Sequence, residues 1–491
     1  MNNFKEHTKV IIGHWQYLWV LILSLVVFSC VGQSRGKGGD KILGFDSLLK
    51  LKGSVVSGYV INTNTKEIIA AVNQEYRMTP ASLSKIFTSS AALNLLGPNY
   101  KFTTGISISS DNISDGILKG DVIITGGGDP TLGSKYFAGT HPDSIFLKIL
   151  LSLKKSGIKT VSGDLILVSD YFSKPAYPSL RLWEDMSNYY GAPPSGLSFM
   201  DNTFTVSLES PSKPGILCKV TEITPDCGIT FDCRVIASLS QKDSAYIYGA
   251  PGLKEWYIDG SIPTGREEFK IKGALPYPEK VFGRLLKSFL NKNGISVDRL
   301  SFKSSKEIKR SIDIGKIDSP PLSSIVKVLN KRSINLFADH LFLAMARERG
   351  RANWDNARKV VSEFWSSSIG TNEIYLHDGS GLSPFNYCSP VDMTDALIFM
   401  SDSELSGLFK ESLSISGVDG TLKRMWNTPE TKGRVKGKSG YMKGVLGYAG
   451  YIKTKKNRKL TFCIIVNRFT EPVSEVRRLI EMEVEKIILE N

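Results

Sequence analysis

The chain has 491 residues, 41% hydrophobic, 22% charged and 10% aromatic, which excludes disordered, collagen-like and low-complexity classes. The formal charge is +14, from 62 Lys and Arg against 48 Asp and Glu, but no block of five basic residues occurs, so nucleic acid is not an expected partner. The histidines, His7, His14, His141, His340 and His377, have no H-x-x-x-H spacing, so no metal centre and no other cofactor is expected.

Residues 1–30 read as an export signal. Lys5 and Lys9 give a basic start, and Tyr17–Phe28 is apolar except for Ser24. That run is shorter than the ~20 residues of a membrane span and suits a signal peptide. It ends in Val27-Phe28-Ser29-Cys30, which resembles a bacterial lipobox with Cys30 as the lipidated residue. Residues 31–42 then form a flexible tether. The expected location is the periplasm, held to the membrane through the N-terminal lipid. A cleaved soluble form and an uncleaved anchor are the alternatives.

Next come strand-like Ser54–Ile61 and Glu67–Ala71 around the turn Asn62–Thr65. A helix is predicted over Ser82–Leu96, closed by Gly97-Pro98. Gly120–Thr125 and Gly163–Leu167 read as strands, with a helix around Ser144–Ser156 between them. Phe204–Ile262 is a series of short β segments with Pro and Gly turns. Ser333–Ala346 is helical, with Phe337, Leu341 and Ala344 on one face. Val445–Ile452 and Leu460–Val466 are strands around the turn Lys453–Arg458, and Glu475–Leu489 is an amphipathic helix. Strands from both ends with helices beside them predict an α+β domain built from both ends, with a β-rich middle inserted into it.

The cysteines beyond Cys30 are Cys218, Cys227, Cys233, Cys388 and Cys463, an odd number that excludes complete internal pairing. Cys218, Cys227 and Cys233 leave room for one disulfide. Cys388 and Cys463 suit buried apolar positions.

Three motifs carry chemistry. In Ser82-Leu83-Ser84-Lys85 the spacing places Ser82 and Lys85 one helical turn apart on one face. An amine there activates a serine, as a base if burial lowers its pKa. Ser333-Ile334-Asn335 offers a hydroxyl and an amide at another helix start. Taken alone, Ser82 could be an N-cap, and for Ser333 alone the N-cap is the stronger reading. Lys438-Ser439-Gly440, followed by Tyr441 and a strand, offers a cation and a hydroxyl to a carboxylate, with a glycine where a substrate backbone approaches.

In this order the three resemble the motif trio of penicillin-binding proteins and class A β-lactamases. Tyr76–Leu96, Gly126–Leu132, Tyr190–Pro194, Asp378–Ser383 and Gly447–Tyr451 resemble segments of one family. That family is the class C low-molecular-mass penicillin-binding proteins, D-alanyl-D-alanine carboxypeptidase/endopeptidases of the DacB (penicillin-binding protein 4) type. Ser82 and Ser333 lie 251 positions apart, more than a compact β-lactamase has there, and this family inserts two domains at that place.

The resemblance implies a β-lactamase/transpeptidase-like serine hydrolase domain at 43–105 and 318–491. Two smaller inserted domains are implied at 106–203 and 204–317. It implies hydrolysis of peptidoglycan stem peptides and cross-links, with β-lactams as covalent inhibitors. Ser82 would be the acylated nucleophile and Lys85 its base. Ser333 and Asn335 would move the proton and hold the acyl part. Lys438 and Ser439 would bind the terminal carboxylate beside Gly440, and the N–H groups of Ser82 and Tyr441 would form the oxyanion hole. Asp170 resembles the acid that meets the third stem residue. Pro384 and Lys443 stand where some relatives carry arginine and glutamine, which leaves the preference at that residue open. Asp129, Asp378 and Gly126–Gly128 read as architectural. The alternatives are a serine β-lactamase or esterase on the same fold, and a non-catalytic cell-wall scaffold.

Overall fold

The computed structural model describes residues 44–491, so the signal segment, Cys30 and the tether lie outside the described residues. Among the described residues no helix is long and apolar enough to cross a membrane.

A six-stranded antiparallel sheet joins the two ends of the chain. Its order is Ser414–Ile415, Val435–Met442, Val445–Lys453, Lys459–Asn467, Val55–Asn62 and Ile68–Val72. The strand Lys459–Asn467 shows why these residues fold this way. Phe462, Ile464 and Val466 face one apolar layer, while Cys463 and Ile465 face the other. The period of two survives, but both faces are covered, so the strand reads as a continuous apolar run.

One face is closed by the terminal helix Val473–Glu490 through Val476, Ile480, Val484 and Ile488. Glu483 on that helix accepts the backbone N–H groups of Phe45 and Ser47 at 3.2 and 2.7 Å. This brings Phe45 against Gly58, where a Cβ would meet the Phe45 ring at 2.9 Å.

The other face carries two helices that are wrapped by protein. Ser84–Leu95 buries every residue from Ser84 to Leu93, and Asn335–Glu348 buries every residue from Leu336 to Ala346. The first helix is covered on all sides, which is the packing reason for its weak amphipathic pattern. The helix predicted over Ser82–Leu96 begins two residues later. Ala81–Leu83 is a 3₁₀ turn, with Ala81 in the left-handed region at φ 48°, and the α-helix starts at Ser84.

Between the first and second motifs the chain builds a seven-stranded mixed sheet. Its strands include Thr103–Ile108, Val122–Thr125, Thr160–Val168, Ser296–Lys303 and Ile312–Asp318. Helices Pro142–Lys155 and Pro278–Lys292 share its apolar layer through Phe146, Ile149, Phe282 and Leu286. Three smaller sheets join the same layer, one being Thr203–Ser210 between Lys219–Thr224 and Arg266–Ala274. The seven-stranded sheet takes strands from both sides of residue 203, so a division of this region there is a proposal about folding units and not about sheets.

Cys218, Cys227 and Cys233 are free thiols, so no disulfide forms among them. Cys388 and Cys463 are buried, and burial pushes both thiols above their ordinary range.

Candidate active site

The turn that presents Ser82 is held by two close backbone approaches. Gly440 lies against it, where a Cβ would come within 2.5 Å of the Pro80 carbonyl and 3.2 Å of the Leu83 nitrogen. Gly381, at φ 78°, lies against the Ala81 carbonyl, which a Cβ would meet at 1.9 Å. Only glycine fits at either place. The third motif and the 378–383 loop are thus both packed onto the turn that carries the first motif.

Ser333 occupies the left-handed region at φ 58° and ψ 42°, immediately after the helix Leu322–Arg332. Asn335 opens the next helix. Neither side chain caps a helix by hydrogen bonding; Asn335 meets the first motif and Ser333 the third. Lys85 Nζ lies 2.9 Å from Ser82 Oγ and 2.6 Å from Asn335 Oδ1, and also donates to the Ser380 carbonyl. Lys438 Nζ lies 2.8 Å from Ser333 Oγ and 2.7 Å from the Ser439 carbonyl. Ser82, Ser333, Asn335 and Ser439 are half-buried, both lysines are buried, and Tyr441 is exposed. The second motif thus joins the other two, bonding the first through Asn335 and the third through Ser333.

Burial removes the hydration of both amines and disfavours their charged forms. It brings Lys85 down to about 7, against the opposing pull of Asp339 and Asp378. Lys438 is driven well below its ordinary value by burial and by the nearby Lys85. A neutral Lys85 has a free lone pair within hydrogen-bond reach of Ser82 Oγ, the arrangement of a serine nucleophile with its base.

Two residues of this site carry no motif. Arg181 reaches Asp339 at 3.0 Å and Asp378 at 3.2 Å, with side-chain exposures of 2%, 1% and 0% respectively. Asp339 lies four positions after Asn335, one turn along the same helix, which is a signal the sequence did contain. Arg181 lies 158 and 197 positions from its partners, in a segment with no periodicity, and nothing local marked it. Asp378 has the architectural role expected of it: it accepts from the N–H groups of Gly381 and Ser383 at 2.7 and 2.8 Å and from Asn386 at 2.9 Å. Its charge also faces Lys85. Asp129 accepts from the Thr131 N–H and hydroxyl at 2.7 and 2.6 Å, also an architectural use.

The structure does not bring Asp170 to the trio by any hydrogen bond. It is exposed and accepts from the Ser305 N–H and hydroxyl, both at 2.9 Å. Pro384 accepts from the Thr79 hydroxyl at 3.2 Å through its carbonyl, and Lys443 is exposed.

A family model described as the D-Ala-D-Ala carboxypeptidase 3 (S13) family matches residues 46–484. The chain belongs to this family. Within the S13 family it is 27% identical over 440 residues to D-alanyl-D-alanine carboxypeptidase DacB of Haemophilus influenzae, covering 85% of this chain and 86% of that one. It is 25% identical over 448 residues to a D-alanyl-D-alanine carboxypeptidase of an Actinomadura strain, covering 86% and 79%. The crystal structure of penicillin-binding protein 4 (dacB) from H. influenzae superposes with a TM-score of 0.78 at 26% identity, over 90% of this chain and 98% of that one. The same protein complexed with a β-lactam gives 0.75 at 25% identity, over 90% and 99%. The fold is therefore the α+β, β-lactamase-like one the motifs implied, and the enzyme class is the serine-type D-Ala-D-Ala carboxypeptidase of the S13 family.

Proposed function

We propose that Ser82 is acylated by peptidoglycan stem peptides ending in D-alanyl-D-alanine, with Lys85 as its base. The observation that carries this reading is the buried Lys85 amine 2.9 Å from Ser82 Oγ. Lys85 takes the hydroxyl proton as Oγ attacks the carbonyl carbon of the penultimate residue. The developing oxyanion is received by the N–H groups of Ser82 and Tyr441, each such donor lowering a barrier by ~3–4 kcal/mol. Ser333, bonded to Lys438, passes a proton to the leaving amine, and D-alanine departs. Water then hydrolyses the ester by the reverse proton path. Lys438 and Ser439 hold the substrate's terminal carboxylate, and Asn335 holds the acyl amide. Cross-link cleavage follows the same acyl-enzyme, with a longer leaving strand. A β-lactam opens onto Ser82 and stays there.

Incubating the full chain with labelled penicillin G tests this. A long-lived adduct on the peptide containing Ser82 is expected. Rapid turnover of the antibiotic would make the protein a β-lactamase, and no adduct would make it a scaffold.

We also propose that the protein works in the periplasm, tethered through a lipid on Cys30. The support is the apolar run Tyr17–Phe28 ending at that cysteine. Two or more acyl chains, at ~0.8 kcal/mol per buried CH₂, hold a protein on a bilayer. In the native host the wild type should partition into detergent and carry acyl mass at Cys30, and Cys30→Ser should lose both. A mature N-terminus elsewhere, without acyl mass, would favour the soluble form.

A further inference from the structure

The segment Tyr177–Gly191, from the region between the first and second motifs, is bonded onto the active site at several points. Leu180 accepts the Ser383 hydroxyl at 3.2 Å, and Tyr190 accepts Asn335 Nδ2 at 2.8 Å, both through their carbonyls. Tyr177 Oη donates to the Met186 carbonyl at 2.9 Å and braces the segment internally. Arg181 enters between these points and meets Asp339 and Asp378 where solvent does not reach. Stability alone does not explain such a cluster, because replacing buried ion pairs by apolar residues is often neutral or stabilising.

We propose that Arg181 is a positioning residue for acylation, balancing the charge of Asp339 and Asp378 so that the Lys85 amine can serve as the base for Ser82. This rests on the reading of Lys85 as the base. The guanidinium stays charged in a protein interior, so it is a fixed counter-charge. With it, the two carboxylates and Arg181 carry a net charge of about −1 beside Lys85. Without it they carry about −2, and the added negative charge draws a proton toward Lys85, and also toward Asp339, whose carboxyl burial raises to about 6 and Arg181 holds down. Lys85 faces Asp339 on the Asn335–Glu348 helix, Asp378 on the following loop, Arg181, and Lys438 on the Val435–Met442 strand. Arg181 itself faces Tyr177 and Asp185 in addition to the two carboxylates. Burial lowers the Lys85 pKa most, the carboxylates raise it, and Arg181 lowers it, which are the signs the proposal needs. A residue from outside the three motifs thus controls the state of the base within them.

The test is the acylation rate constant with labelled penicillin G, measured from about pH 5 to 9 on the full chain. The wild type should show a rate that rises with pH through a limb near 7. Arg181→Met should move that limb up by about one unit or more, and Asp339→Asn should move it down. A purely structural role would lower both rates and leave both limbs in place. Unmoved limbs, or shifts in the same direction, overturn the proposal. If Arg181→Met alone does not fold, the double variant with Asp339→Asn decides. A limb that returns to within about half a unit of the wild type supports the balance, and a limb displaced as in Asp339→Asn overturns it. A wild type without any limb near 7 overturns the base assignment, and the role of Arg181 with it.

Discussion

Ser82→Ala is expected to give a folded protein that takes up no labelled penicillin and releases D-alanine at least about 10⁴-fold more slowly than the wild type. The size follows from the role: without the hydroxyl there is no covalent intermediate, and the remaining groups only bind and polarise the substrate. The fold should survive because the hydroxyl is half-buried and its hydrogen bond is to Lys85, whose amine keeps Asn335 and the Ser380 carbonyl. The neighbours that anchor the turn are Ala81 and Leu83, both fully buried and unaltered. Penicillin labelling, D-alanine release and a thermal melt together check the result. Labelling at the wild-type level would transfer the nucleophile to another serine. Ser84 is the nearest, but its hydroxyl is buried and faces no partner, so it lacks a base.

Lys85→Met is expected to lower the acylation rate by about 10²–10⁴, the usual range for loss of a positioned base. It should also abolish the pH limb near 7. The sign is set by which form reacts. Only the neutral amine accepts the Ser82 proton, so wild-type acylation rises as pH increases through the amine's pKa and falls below it. The Met variant has no such group and should show a flat, low rate across that interval. Methionine suits the site because its length matches the buried lysine stem and it adds no polar atom. Persistence of the limb at a reduced rate would assign it to another group, with Lys438 the first candidate, since it is also a buried amine and bonds Ser333.

The trio itself was legible because each motif is a local arrangement. Ser82 and Lys85 share a face through helical spacing, Ser333 and Asn335 flank a helix start, and Lys438 to Tyr441 lie on one strand. The terminal strands and the closing helix were legible for the same reason, because the period of the apolar residues names the element. Boundaries were less so. The 3₁₀ turn at Ala81–Leu83 takes the first two residues of the expected helix, and Gly381 and Gly440 pack backbone against that turn from positions far along the chain.

The three motifs and the family resemblance thus rest on residue types at short spacings, which need no knowledge of the fold, while membership of the S13 family is shown by the match over residues 46–484. The tertiary structure alone decided the electrostatic state of the site. Lys85 has a lowered pKa because two helices and a loop from separate parts of the chain remove its water, and spacing cannot report burial. Arg181 belongs to the site only because a segment from the middle of the chain crosses onto it, 158 positions from Asp339 and 197 from Asp378. The free Cys218, Cys227 and Cys233 are of the same kind: closeness in sequence allowed a pair, and the fold leaves each thiol unbonded. Charge acts through space in a medium where water is excluded, so its partners are set by packing, whereas the motifs are set by the geometry of one turn of chain.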